Sequence, residues 1–136
     1  MSNIRLPAEC IIVPESSADI IVPVGFQATC AATDLVGDPV IVSSPGVVTS
    51  FATNVYPDLC VGIIKEKPTT TTCIVVIAGI LENITTGLTA NKAVFVSETG
   101  GLTTTKPATG HLQIMGTALS STNIVVNASN EKVIQS

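Results

Sequence analysis

The chain contains no tryptophan, one tyrosine, three phenylalanines and a single histidine, His111. Its hydrophobic residues, 46% of the total, are therefore mostly Val, Ile, Leu and Ala, so the core must be aliphatic. Charge is equally scarce: 12% of residues are Asp, Glu, Lys or Arg, half of the roughly 25% found in ordinary soluble proteins. A surface so poor in charge suits a chain packed among neighbours. The basic residues stand singly, and the net charge is -4. No basic stripe exists to neutralise phosphates, and direct nucleic-acid binding is not expected.

Long hydrophobic runs are missing as well. The most apolar stretch, Cys73 to Leu81, falls far short of the ~20 residues that a membrane-spanning helix needs. Met1-Ser2-Asn3-Ile4-Arg5 has no apolar core of a secretory signal, so the expectation is a soluble chain made in a cytoplasm, without a membrane partner. Cys10, Cys30, Cys60 and Cys73 form no CxxC pair and have one histidine for company, so a zinc site has no support. They read as small buried hydrophobes, and the spacing leaves open whether any of them pair.

What is present is a succession of short segments rich in Val, Ile and Thr, bounded by Gly, Pro, Asn and Asp. Strands are expected at Cys10 to Val13, Ile20 to Val24, Val40 to Ser43, Val47 to Phe51, Val61 to Lys65, Thr72 to Leu81, Ala93 to Ser97, Leu112 to Leu119 and Ile124 to Asn127. Prolines 14, 23, 39, 45, 57, 68 and 107 fall outside or at the margins of these strands, where a missing backbone donor does least harm. No segment reads as a long amphipathic helix. The expected fold is an all-β sandwich or barrel, one domain over 1–136 with an extended N-terminal arm at about 1–8. Ile74-Val75-Val76-Ile77 does not alternate, which implies burial on both faces or against a partner chain.

Sliding the sequence against itself by 54 residues pairs Ile20, Val22 and Gly25 with Ile74, Val76 and Gly79. The same offset pairs Val40, Val42 and Ser43 with Val94, Val96 and Ser97, Gly46 with Gly100, Thr49 with Thr103, and Gly62 with Gly116. These are nine identities over 45 ungapped positions, and they fall on alternate strand positions and turn glycines. Two similar β-units, about 20–64 and 74–118, are expected.

Catalytic chemistry finds little footing. His111 follows Gly110 at the start of an apolar strand and reads as a solvent-facing residue without a nucleophile beside it. The carboxylates Glu9, Glu15, Asp19, Asp34, Asp38, Asp58, Glu66, Glu82, Glu98 and Glu131 are dispersed, most of them near turns. Gly100-Gly101 lies in a Thr-rich hairpin turn with no helix and lysine following, so it does not form a phosphate cradle. Asn83-Ile84-Thr85 and Asn127-Ala128-Ser129 match the glycosylation pattern, but an acceptor needs a secretory route. An enzyme, a cofactor and a metal are all unexpected.

Three segments carry a resemblance: Gly87-Leu88-Thr89 running into Ala93-Val94-Phe95-Val96-Ser97, then Gly100 to Pro107, then Gly110 to Leu119. This pattern of a GLT turn, a strand ending in Ser, a GGLTTT-x-P stretch and a strand followed by Gly and small residues resembles tailed-bacteriophage virion proteins. It covers about a third of the chain. Gly37-Asp38-Pro39-Val40-Ile41-Val42 and Val61-Gly62-Ile63-Ile64 are similar to the strands of small capsid decoration (cement) proteins. The cysteines and the low aromatic content belong to neither pattern.

The resemblance implies a head-associated structural protein of the virion, assembled in the host cytoplasm. It would sit on the outer capsid as a homo-oligomer, often a trimer, and clamp neighbouring copies of the major capsid protein by strand addition and apolar contact. No catalytic residues accompany such a role. The N-terminal arm, with Ile4, Arg5, Leu6 and Pro7 as its interface residues, is expected to reach a neighbouring subunit. A tail or head-fibre component contacting the host surface is the alternative implied by the GLT segment.

Overall fold

The computed structural model describes residues 23–135, which contain strands, turns and loops and no helix. The strands in chain order are β1 (Val24–Thr29), β2 (Pro39–Ser44), β3 (Val47–Thr49), β4 (Gly62–Thr69), β5 (Thr72–Leu81) and β6 (Ala93–Val96). They continue with β7 (Leu102–Thr103), β8 (Gly110–Leu112), β9 (Ile114–Ala118), β10 (Ile124–Asn127) and β11 (Val133–Gln135). Nine of them form one sheet in the order β1-β3-β2-β4-β5-β10-β9-β6-β7. A further pairing of β1 with β5 closes its first five strands into a small barrel.

β5 joins the two halves. Ala78 pairs with Val24 of β1 on one edge and with Asn127 of β10 on the other. β4 runs beside β5 only as far as the Ile63–Val76 pair, and β10 then takes over the edge that β4 has left.

The 54-residue offset reappears as backbone geometry. The pairs Ile41–Thr49 and Val42–Val48 of the first hairpin become Phe95–Thr103 and Val96–Leu102 in the second. Pro39–Ile63 and Val40–Gly62 become Ala93–Thr117 and Val94–Gly116. Loop hydrogen bonds follow the same rule. Gly37 N–H donates to the Ile64 carbonyl and Ile64 N–H to that of Asp38, just as Asn91 donates to Ala118 and Ala118 to Lys92. Gly37 (φ 95°) and Asn91 (φ 68°) share the left-handed conformation this loop requires, which glycine and asparagine tolerate best. A Cβ on Gly62 would strike the Val76 carbonyl oxygen, and one on Gly116 that of Val125, which explains why both positions are glycine.

Two apolar clusters sit on opposite faces of the shared strands. Ala28, Cys30, Val40, Val48, Ile64, Cys73 and Val75 fill the barrel. Their sequence neighbours Ile41, Ile63 and Val76 face outward into a larger cluster with Val94, Val96, Met115, Ala118, Ile124 and Val126 of the second half. Within Ile74-Val75-Val76-Ile77, Val75 and Val76 are therefore both fully buried, one on each face, while Ile77 is 38% exposed. The offset also explains the asymmetry of the halves. Ile63, buried beneath the second half, corresponds to Thr117, which is exposed because no described residue packs over it.

Several strand bounds differ from the sequence reading. The first described strand begins at Val24 and runs on to Thr29, whereas Cys10 to Val13, residues 20–22 and the arm at about 1–8 lie outside the described residues. The expected strand at Leu112 to Leu119 is split into β8 and β9, because Gln113 turns its amide into the interior. β4 runs on past Lys65 to take in Pro68 at its margin, one residue before its end. The proline is accommodated where the register with β5 shifts between Glu66 and Thr69, a place that needs no donor.

Candidate interaction surface

The polar side chains buried in this fold are engaged in holding loops. Gln113, 1% exposed, donates from Nε2 to the carbonyls of Cys60 (2.9 Å) and Ser129 (2.8 Å). Its Oε1 accepts from Cys60 N–H (2.9 Å) and the Tyr56 hydroxyl (3.1 Å). Asn54 Nδ2 donates to the carbonyls of Thr109 and His111. Tyr56 stacks on Phe51 at 5.2 Å between ring centres and meets the His111 ring edge-on at the same separation. Lys132 Nζ lies 4.6 Å from the Tyr56 ring centre and donates to the Tyr56 carbonyl (2.8 Å).

His111 is therefore half-buried, not simply solvent-facing, and its Nδ1 accepts Tyr56 N–H at 3.2 Å. Burial, with the nearby Lys132 charge, holds its pKa below the ordinary imidazole value. The Tyr56 hydroxyl is pushed up by burial, and Cys60 rises to about 12 for the same reason. Cys73 also rises to about 12, through burial and the adjacent Cys30. Cys30, Cys60 and Cys73 are buried free thiols, which are poor nucleophiles and poor metal ligands in that state.

One open cavity contains two carboxylates, Asp34 and Asp38, beside Ser50 and the Gly100-Gly101 turn. Asp34 Oδ1 accepts the Ser50 hydroxyl (2.6 Å) and its Oδ2 accepts Ala31 N–H (2.8 Å). Asp38 Oδ2 accepts Leu35 N–H (2.9 Å). Burial raises the Asp38 pKa, and the Asp34 charge adds to the rise. These acids shape the loop between β1 and β2, and Lys67 braces it from Nζ through the carbonyls of Ala31, Ala32 and Asp34. Among the described residues no cluster of three or more His, Cys, Asp or Glu could hold a metal ion, and no helix is long and apolar enough to cross a membrane. Gly100 and Gly101 form the β6–β7 turn, closed by Ser97 N–H donating to the Gly101 carbonyl.

What the surface offers instead is apolar contact. Strand β11 pairs with β8 alone, and among the described residues its outer edge has no strand partner. It carries Val133 and Ile134, which are 57% and 72% exposed. Beyond β8, His111 N–H donates to the Asn54 carbonyl, which brings the exposed Val55 close to the same ribbon. Lys132, and Gln135 Nε2 donating to the Pro107 carbonyl, pin the ribbon to the body. Sequence reasoning missed this strand because two apolar residues between Lys132 and Gln135 are too few to show a period. The expected interface residues Ile4, Arg5, Leu6 and Pro7 lie outside the described residues.

No protein-family model matches the chain, and neither the curated proteins nor the solved structures compared with it give a significant match.

Proposed function

We propose that the chain is a structural protein of a bacteriophage virion, decorating the outer capsid and cementing neighbouring major capsid subunits as a homo-oligomer, with the trimer as the expected form. The observation that carries this reading is the anchored C-terminal ribbon. Its unpaired edge presents Val133 and Ile134 to solvent, the arrangement by which one chain adds a strand to another. The low charge of the chain and the resemblance of Gly37 to Val42 and Gly87 to Leu119 to capsid-associated proteins support it further.

In this role the ribbon supplies apolar contact and main-chain donors and acceptors, while the arm bearing Ile4, Arg5, Leu6 and Pro7 reaches a neighbouring subunit. The test is the native mass of the purified chain by light scattering, together with electron microscopy of capsids incubated with it. A closed oligomer that binds the particle surface, and loses binding on Ile134→Lys, supports the proposal. A monomer that never binds capsids overturns it, and binding to host cells instead would point to a fibre component. Deleting residues 2–7 is expected to weaken assembly while leaving the thermal midpoint unchanged.

A further inference from the structure

The barrel is closed by β1 pairing with β5, and two thiols sit at that seam. Ala28 pairs with Cys73 and Thr29 with Thr72, and Cys30 N–H donates to the Thr71 carbonyl (2.9 Å) one step further along. Because side chains alternate along a strand, Cys30 and Cys73 point to the same face. Both belong to the apolar cluster that fills the barrel, where they are 4% and 0% exposed. After burial, the Cys30 thiol beside it is the largest cause of the raised Cys73 pKa. Cys60 lies elsewhere. It belongs to the larger cluster on the opposite face, where Gln113 Oε1 accepts its N–H.

We infer that Cys30 and Cys73 form a latent cross-strand disulfide, which closes when the chain folds in an oxidising medium and stays a dithiol when it folds in a reducing one. The oxidant is a small disulfide such as oxidised glutathione. One protein thiolate attacks it and displaces a glutathione thiolate, and the second cysteine then attacks the mixed disulfide and displaces the other. Two protein thiols become one disulfide, and two glutathione thiols carry away the protons and the electrons. The step belongs to folding, because in the finished barrel both thiols are buried and Cys73, pushed up to about 12, offers almost no thiolate. Cys30 stands just past the end of β1, where few ladder bonds oppose the small backbone shift that disulfide geometry asks for. The ring so closed contains β2, β3 and β4. It ties together the two strands that seal the barrel and restricts the unfolded chain across every strand between them.

The test is oxidative refolding of the wild-type chain from denaturant in a glutathione redox buffer, with the linkages read by peptide mass mapping. In the unfolded chain loop closure favours Cys60 with Cys73, the cysteines nearest in sequence, so the outcome separates the influence of the fold from that of proximity. Cys30–Cys73 is expected as the predominant linkage, with a thermal midpoint several degrees above that of the same protein folded in reductant. The Cys10→Ser/Cys60→Ser variant is expected to show the same linkage and the same shift. A folded wild-type protein that keeps both thiols free in that buffer, or carries glutathione on either, overturns the inference. So does a predominance of any linkage that includes Cys10 or Cys60.

Discussion

At the scale of single residues, Gln113 shows what the interior demands. Both ends of its amide are satisfied by Cys60, Ser129 and Tyr56, so Gln113→Ala strands a buried amide, two carbonyls and a hydroxyl at once. Each unsatisfied buried group costs about 1–3 kcal/mol, and a loss of at least ~3 kcal/mol is expected in urea unfolding. Tyr56, the only intrinsic fluorophore of any strength, reports the change directly. Asp38 gives the pH dependence. Its folded pKa lies above the unfolded value, so the native state holds the proton more tightly. Its contribution is therefore present at low pH and is lost as pH rises through the folded pKa. Asp38→Asn keeps an oxygen for Leu35 N–H and removes this loss. The variant is expected to gain stability on the wild type between about pH 4 and neutrality, measured as the difference of their denaturation midpoints.

At the scale of elements, the glycines at 62 and 116 are where strands pass closest to their neighbours. Gly62→Ala and Gly116→Ala each place a methyl group against a carbonyl oxygen of the adjacent strand and are expected to lower the thermal midpoint by several degrees. Gly46→Ala is the comparison. It has open space around the Cβ and suffers only the strain of its positive φ, so its drop should be smaller.

Strand β5, strand β10 and the β2–β6 correspondence were legible in the sequence because β-branched runs between turn residues leave few other readings. The equivalence of Gly37 and Asn91 was not, since it lies in a shared backbone conformation and not in residue identity. Nor was the break at Gln113, since a polar residue inside an apolar run gives no sign that its amide will be called inward to four partners. The ribbon strand β11 was invisible for want of length. The interface residues at the N-terminus rested on the arm's position ahead of the first strand and on its carrying the only arginine, Arg5, and no described contact bears on them.

At the scale of the whole molecule, both halves are built on one strand. β5 contributes Cys73 and Val75 to the barrel interior, Val76 and Leu81 to the larger core, and ladder partners to β1, β4 and β10. Neither half can lose β5 and keep its own core. A single cooperative unfolding transition is expected, with Tyr56 fluorescence and far-ultraviolet dichroism tracing the same curve in denaturant. Two separated transitions would show that the halves are independent domains. Cys30, Cys60 and Cys73 should remain closed to thiol reagents until that same transition, because burial hides all three.

The shared strand also determines how the molecule bears load. A pull that drags the second half away along the axis of β5 acts lengthwise on the ladders to β1 and β4, so their hydrogen bonds share the strain instead of opening one after another. The terminal ribbon is a different kind of attachment, since β11 grips only β8 across three residue pairs. Under tension the ribbon is the fuse and β5 is the beam.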